Sequence, residues 1–188
     1  MKKNRLLTTA GILLTALLIS THTAASNWPS WRGPSGNGIS PEKNLPTTWS
    51  PTENVAWKID LPGSAGATPA IWEDKIFVTS AAESDLVLLC ISTGGKILWR
   101  KSLASGNKKI RGDEGNSAAP SPATDGKHVW TFLGTGDMHC FDMKGKLVWE
   151  KNLQKSYGAF DHWHGMSSTP LLEGDSIYQM CLQMENPY

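Results

Sequence analysis

The chain contains 188 residues, with 18 Lys and Arg against 17 Asp and Glu, a formal net charge of +1 and 39% hydrophobic residues. This composition is typical of a globular domain and excludes a disordered or collagen-like chain. The balanced charge also argues against nucleic acid as a partner, because binding of nucleic acid depends on neutralising many phosphates.

Residues 1–25 are predicted to be a secretory signal peptide. Three basic residues open the chain, an apolar run follows at 6–20, and small residues at 23–25 supply a cleavage site. A membrane anchor is the alternative, but the run is shorter than the roughly 20 residues that a spanning helix needs. No Cys directly follows the run, so a lipid anchor is not expected. The mature protein is therefore predicted to be periplasmic or secreted, with no membrane span.

An internal repeat organises the chain after a lead-in segment at 26–54. Three segments read apolar-Trp-x-x-x-Leu, around Trp57, Trp99 and Trp149. These tryptophans are 42 and 50 residues apart, close to the period of about 40 to 50 residues that is typical of four-stranded propeller blades. The spacing therefore predicts a β-propeller.

A second signal recurs in the same register as the tryptophans. A hydroxyl residue followed by proline begins each unit, and a β-branched residue and an aromatic residue follow seven and eight residues after the proline. Beyond residue 26, no stretch has the 3.6-residue apolar spacing of a long helix. Short runs rich in Val, Ile, Leu, Trp and Phe between turn signals favour strands. We call each of these pairs a Ser/Thr-Pro step, and their hydroxyl residues are Thr68, Ser121 and Thr169.

The predicted fold is all-β, with β-propeller blades of four antiparallel strands. We predict a lone last strand at 55–60, a blade at 67–102, a second blade at 119–152 and half a blade at 168–182. Closure of a propeller takes about four blades or more. About two and a half blades are an incomplete propeller, so the chain is expected to be an N-terminal fragment whose missing blades complete the ring. Within the two full blades, strands are predicted at 67–72, 75–80, 85–92 and 95–101, and at 119–124, 128–133, 137–142 and 145–151.

Two motifs connect the chain to a known family. Segments 95–99 and 145–149 both read Gly-Lys-x-x-Trp, and the lead-in at 28–34 reads Trp-Pro-Ser-Trp-Arg-Gly-Pro. With these motifs the chain resembles the secreted bacterial β-propellers built from pyrroloquinoline-quinone-like (PQQ-like) repeats. The resemblance implies a structural role for the repeated tryptophans, each of which would dock against the adjacent blade. These residues are Trp57, Trp99 and Trp149.

The resemblance implies two kinds of function. Relatives that bind no quinone are similar to scaffold propellers of the bacterial envelope, so a protein- or ligand-binding scaffold without a cofactor is expected. The alternative is a fragment of a PQQ-dependent quinoprotein dehydrogenase, in which the quinone lies between a Trp and a disulfide of adjacent cysteines, beside a calcium ion. No adjacent Cys pair exists in this sequence, which disfavours the alternative. Cys90 and Cys140 are instead expected to be small buried hydrophobes.

Two insertions lie between the last strand of one blade and the first strand of the next, and hence on one face. The insertion at 104–118 is charged and that at 154–167 is aromatic. Because loops carry binding residues more often than strands do, a surface for a protein partner or small ligand is predicted there. The alternative is a solvated charged face with aromatics that cover the gap between blades. The candidate residues are Lys108, Lys109, Arg111, Asp113, Glu114, Tyr157, Asp161, His162, Trp163 and His164.

The second insertion also contains the residue types of a divalent-metal site, in Asp161, His162 and His164. Two His at this spacing do not define a site without a third ligand that the sequence identifies. No metal site and no catalytic residue is therefore predicted.

Overall fold

The computed structural model describes residues 26–108, 115–160 and 165–182. Two four-stranded antiparallel sheets and a two-stranded hairpin follow one another along these residues, and in each sheet the strand order is the order in the chain. The prediction of an all-β fold with four-stranded antiparallel sheets is confirmed. The signal peptide predicted at 1–25 lies outside the described residues.

The strands alternate with short turns that contain glycine or an acidic residue. The first sheet consists of β1 (Ala70–Trp72), β2 (Lys75–Ala82), β3 (Asp85–Ser92) and β4 (Ile97–Ser105). The second consists of β5 (Ala123–Thr124), β6 (His128–Phe132), β7 (Asp137–Asp142) and β8 (Leu147–Asn152). After a short helix, α1 (Leu153–Tyr157), the hairpin pairs β9 (Leu171–Glu173) with β10 (Ser176–Tyr178).

Strand β3 is buried on both faces because the first sheet is covered on both sides. On one face, Leu88 and Cys90 pack with Val129 and Phe141 of the second sheet. On the other face, Val87, Leu89 and Ile91 pack with Ile59 of the preceding segment. This explains the continuous apolar run at 86–91, which is typical of a strand that has no solvent-facing side.

The tryptophans of the repeat contact turns of the following sheet. The indole of Trp57 donates a hydrogen bond to the Thr93 carbonyl at 2.7 Å, and that of Trp99 donates to the Met143 carbonyl at 3.3 Å. In both cases the acceptor lies two residues before a glycine with positive φ, Gly95 or Gly145. A Cβ atom on these glycines would lie 2.7 Å and 2.9 Å from the respective indole, so glycine is required there for close approach as well as for φ.

Trp149 occupies the equivalent place on β8 and is 38% exposed, close to the 36% of Trp57. The described residues contain no turn of a further sheet against it, so its docking stays a prediction. Both β4 and β8 carry a register irregularity directly before their tryptophan, opposite Cys90 and Cys140. Such irregularities redirect a side chain, and their repetition gives the two indoles equivalent positions on their sheets.

The Ser/Thr-Pro steps link the start of each sheet to the next. The backbone N–H of Thr68 donates to Ser121 Oγ at 2.8 Å, and the N–H of Ser121 donates to Thr169 Oγ1 at 3.2 Å. Each hydroxyl thus accepts from the equivalent residue of the preceding unit. The recurrence of a hydroxyl residue at this step therefore has a structural reason.

Three differences from the sequence-based prediction have simple causes. Residues 55–60 were predicted as a lone strand and are not a strand, because no strand among the described residues pairs with them through backbone hydrogen bonds. Strands β1 and β5 begin later than predicted, after the proline of each step, since proline has no N–H to donate. Helix α1 lies in the second insertion, where Asn152 Oδ1 caps it by accepting from the N–H of Lys155 at 2.9 Å.

Candidate binding face at the loop end of the sheets

Both insertions leave the sheets at the same end, here called the loop end. Because neighbouring strands run antiparallel, the turns after β2 and β6 lie at this end too, whereas the turns at 93–96 and 143–146 lie at the opposite end. Contacts agree with this arrangement. The N–H of Gly106 donates to the Ser84 carbonyl at 3.0 Å, and Gln154 Nε2 donates to the Thr135 carbonyl at 2.7 Å.

Two of the ten candidate loop residues lie within the described part of the chain. Lys108 is exposed, and its backbone N–H donates to Ser117 Oγ at 3.0 Å. Tyr157 is 48% exposed, and its hydroxyl accepts from Lys151 Nζ at 2.9 Å. The other eight fall outside the described residues, and their contribution to binding stays a prediction. They are Lys109, Arg111, Asp113, Glu114, Asp161, His162, Trp163 and His164.

A cavity of about 350 Å³ lies where the bases of the two insertions meet. Lys108 and Ser117 line it from the first insertion, Gln154, Phe160 and Met166 from the second, and Thr135 from the turn between β6 and β7. The structure therefore brings the two insertions together. Tyr157 is not part of this lining; it borders a larger cavity of about 890 Å³ beside Trp149 and the hairpin.

Hydrogen bonds to backbone groups hold the insertion bases in place. Gln154 Oε1 accepts from the N–H of Phe160 at 2.8 Å, which closes the segment after α1. Asn116 Nδ2 donates to the Ser64 carbonyl at 2.9 Å, and Asn107 Nδ2 donates to the Glu83 carbonyl at 3.2 Å. Since these side-chain amides bind backbone groups of the fold, the bases of both insertions are held in fixed positions, as a binding surface requires.

His139 is a buried titratable residue of the second sheet that the sequence did not reveal as such. It is 5% exposed, its ring stacks on Phe141 with centroids 5.9 Å apart, and Thr131 Oγ1 lies 3.5 Å from Nδ1. Burial lowers the pKa of His139, and the nearby Asp137 and Glu150 and the Leu103 backbone oppose this shift. Its position in a strand between apolar residues was the only signal in the sequence, and that pattern does not reveal burial of a polar ring.

The cysteines do not fit the quinone site of the dehydrogenase alternative. Cys90 and Cys140 are both buried, each within its own sheet, and Cys181 lies after the hairpin. Burial raises the pKa of Cys90 to about 12 and that of Cys140 to about 11, as for thiols in an apolar core. No two of the three cysteines are adjacent in the sequence, so the disulfide of neighbouring cysteines cannot form from this chain.

Within 26–108, 115–160 and 165–182, no three His, Cys, Asp or Glu side chains are grouped as a metal ion would need. Across the same ranges, no helix has the length and apolar character required to cross a membrane.

Comparison with known proteins identifies the family. The model of the PQQ_2 family, described as outer membrane protein assembly factor BamB, matches residues 43–184. The chain therefore belongs to this family of PQQ-like repeat propellers, which confirms the resemblance found in the sequence. No curated protein sequence matches the chain significantly.

Solved structures with a similar fold include BamB from Moraxella catarrhalis, with 21% identity and a TM-score of 0.44 over 63% of this chain and 31% of that one. A europium-containing methanol dehydrogenase has 14% identity and a TM-score of 0.42, over 61% of this chain and 20% of that one. The quinohemoprotein alcohol dehydrogenase from Comamonas testosteroni has 17% identity and a TM-score of 0.42, over 61% and 17%. The chain thus spans less than a third of the length of each.

Proposed function

We propose that this chain belongs to an exported β-propeller of the bacterial envelope, which acts as a scaffold and binds a protein partner at its loop end. The observation that carries the proposal is the meeting of the two insertions around one cavity at that end. A propeller offers such a surface because its strands hold the loops while the loops remain free to vary.

The family supports the cellular setting of the proposal. The matching family model is described as an outer membrane protein assembly factor, which is a role in the envelope and among protein partners. The signal peptide predicted at 1–25 supports export through the inner membrane. A periplasmic or secreted location follows from the two together.

The residue types of the insertions support protein recognition. Tyr, Trp and Arg contribute most of the binding energy at many protein interfaces, and Tyr157, Trp163 and Arg111 belong to these two insertions. The first insertion also carries both signs of charge, with Lys109 and Glu114 close in sequence. Mixed charge around aromatic residues is typical of a polar rim around an interface core.

Further blades complete the proposed scaffold. Trp149 is exposed, and the cavity of about 890 Å³ lies between it and the hairpin. In the first two units, the corresponding space is occupied by a turn of the next sheet, against Trp57 and Trp99. We propose that a further sheet of the same repeat lies against Trp149 in the complete propeller.

The proposed scaffold uses no quinone and no metal ion. The three cysteines do not supply the adjacent pair on which the quinone of the dehydrogenases lies. The proposed function therefore rests on the loop surface, because a shared fold does not carry a shared activity.

Crosslinking in the cell of origin tests the proposed surface. A photoreactive residue at position 108 or 157 should trap one defined partner, and the same residue at position 96 or 144, at the opposite end, should not. Binding of that partner, once purified, should weaken about tenfold or more in the Lys109→Ala, Arg111→Ala, Trp163→Ala triple variant, since aromatic and Arg anchors dominate interfaces.

The control for this experiment is a Lys96→Ala, Lys144→Ala variant, which removes exposed charge from the opposite end. It should bind the partner as the unmodified protein does. Equal loss in the control and the triple variant, or no loss in either, would show that the loop end is not the binding surface.

A further inference from the structure

A second cavity, of about 500 Å³, lies beside the starts of the innermost strands β1 and β5. It neighbours the cavity of about 350 Å³ at the loop end, with which it shares Gly165 and Met166. Small residues, Gly66, Ala119 and Gly165, form part of its wall and leave the space open. The proposed scaffold function makes no use of this cavity.

The lead-in segment places an aromatic ring in the wall of this cavity. Trp28 exchanges backbone hydrogen bonds with Ile71 of β1, at 2.9 Å and 2.8 Å, and the Pro29 carbonyl accepts from the N–H of Thr124 of β5 at 2.9 Å. These bonds attach the segment to both sheets two and three residues before Trp31. Trp31 lines the cavity and is 56% exposed, so its position is supported while much of its indole remains available.

Two hydroxyl groups in the wall are held in position by the links between sheets. Ser121 Oγ accepts from the N–H of Thr68, and Thr169 Oγ1 accepts from the N–H of Ser121. A hydroxyl that accepts one hydrogen bond retains its own proton and a second lone pair. Ser168 differs, because its Oγ both donates to the Met180 carbonyl and accepts from Gln179 Nε2.

We propose that this cavity binds a neutral saccharide. A sugar ring has an apolar C–H face that packs on an indole and hydroxyls that pair with Ser121 and Thr169. Concave sites of this kind combine apolar walls with a few placed polar groups, and about 300 to 1,000 Å³ is a usual size. The described residues that line the cavity are all uncharged, which fits a neutral ligand.

Arg32 lies near the cavity but is not part of its wall. Its guanidinium lies 5.6 Å from the centroid of the Trp31 ring, and Nη2 donates to the Asn37 carbonyl at 3.4 Å. Arg32 is therefore engaged by the lead-in segment itself and does not line the cavity.

Calorimetric titration of the purified protein with maltotriose, cellotriose and N-acetylchitotriose tests the proposal, with trigalacturonate as the charged comparison. At least one neutral trisaccharide should bind with a Kd of about 10 mM or lower. Trp31→Ala should weaken that binding about tenfold, and Trp31→Phe by less, because the aromatic face is what the sugar contacts.

Trp49→Ala is the matched control, since Trp49 is 64% exposed and does not line the cavity. Its affinity should stay within about twofold of the unmodified protein, and circular dichroism should show the same strand signal in all variants. The proposal is overturned if no neutral trisaccharide binds, if trigalacturonate binds equally well, or if Trp31→Ala and Trp49→Ala behave alike.

Discussion

Replacement of Trp99 tests the role of the repeated indole in joining neighbouring sheets. Its ring lies between Phe77, at 5.8 Å, and Phe141, at 6.4 Å, and therefore contacts both sheets. Truncation of a buried Trp to Ala costs about 3 to 5 kcal/mol. Because Trp99 is only half-buried, Trp99→Ala should lower the free energy of unfolding by about 3 kcal/mol, including the bond lost to the Met143 carbonyl.

Urea denaturation followed by circular dichroism measures this change through the shift in the midpoint. Trp149→Ala is the matched control, because Trp149 has the same place in the repeat, is 38% exposed and meets no further sheet among the described residues. In the 188-residue chain it should cost about 1 kcal/mol. If Trp149→Ala destabilises the chain as much as Trp99→Ala does, contact between sheets is not what the indole provides, and the reasoning is refuted.

Two further substitutions, each with a matched control, and one change of pH are measured by the same denaturation assay. Gly145→Ala should lower the free energy of unfolding by about 3 kcal/mol, since φ is +79° and the new Cβ meets the docked indole of Trp99. Gly36→Ala is the control: φ is +65° but the space is open, so the loss should be about 1 kcal/mol. Equal losses would exclude an effect of the indole. Ser121→Ala should lower the free energy of unfolding by about 1 kcal/mol, because it removes the acceptor of the Thr68 N–H. Ser102→Ala, at an exposed position, is the control and should cause no measurable change. No difference between the two variants would show that the Thr68–Ser121 hydrogen bond is not stabilising. Acidification below pH 6.5 should lower the free energy of unfolding, because burial lowers the pKa of His139 in the folded chain. The unfolded chain then binds a proton that the folded chain does not. If His139→Gln loses as much stability in acid as the unmodified chain does, this assignment is contradicted.

The fold was largely predictable because its signals are local. Short apolar runs, turn signals and the Ser/Thr-Pro steps each act within a few residues, and they repeat in one register. Strand β3 was predicted with its observed bounds, 85–92, because its apolar run ends at polar turns on both sides. The prediction of a strand at 55–60 was wrong, since a strand requires a hydrogen-bonded neighbour and no local sequence pattern supplies one.

The candidate sites were less predictable because their residues are distant in sequence. The loop insertions could be recognised by length and composition, but the cavity between them depends on how α1 and the turn after β6 pack together. Trp31 was visible only as part of a motif. Its place in a cavity wall follows from the bonds of Trp28 and Pro29 to two different sheets.

The order of residues alone determined that this protein is built from repeated, tryptophan-bearing four-stranded sheets, since hydrophobic alternation and turn chemistry specify strands over a few residues. Only the tertiary structure decided which groups share a surface. Thr68 and Ser121, 53 residues apart, and Ser121 and Thr169, 48 residues apart, are joined by hydrogen bonds between sheets. The burial of His139 and the uncharged wall of the cavity that Trp31 lines arise in the same way, because both depend on packing between elements that no single segment of the chain contains.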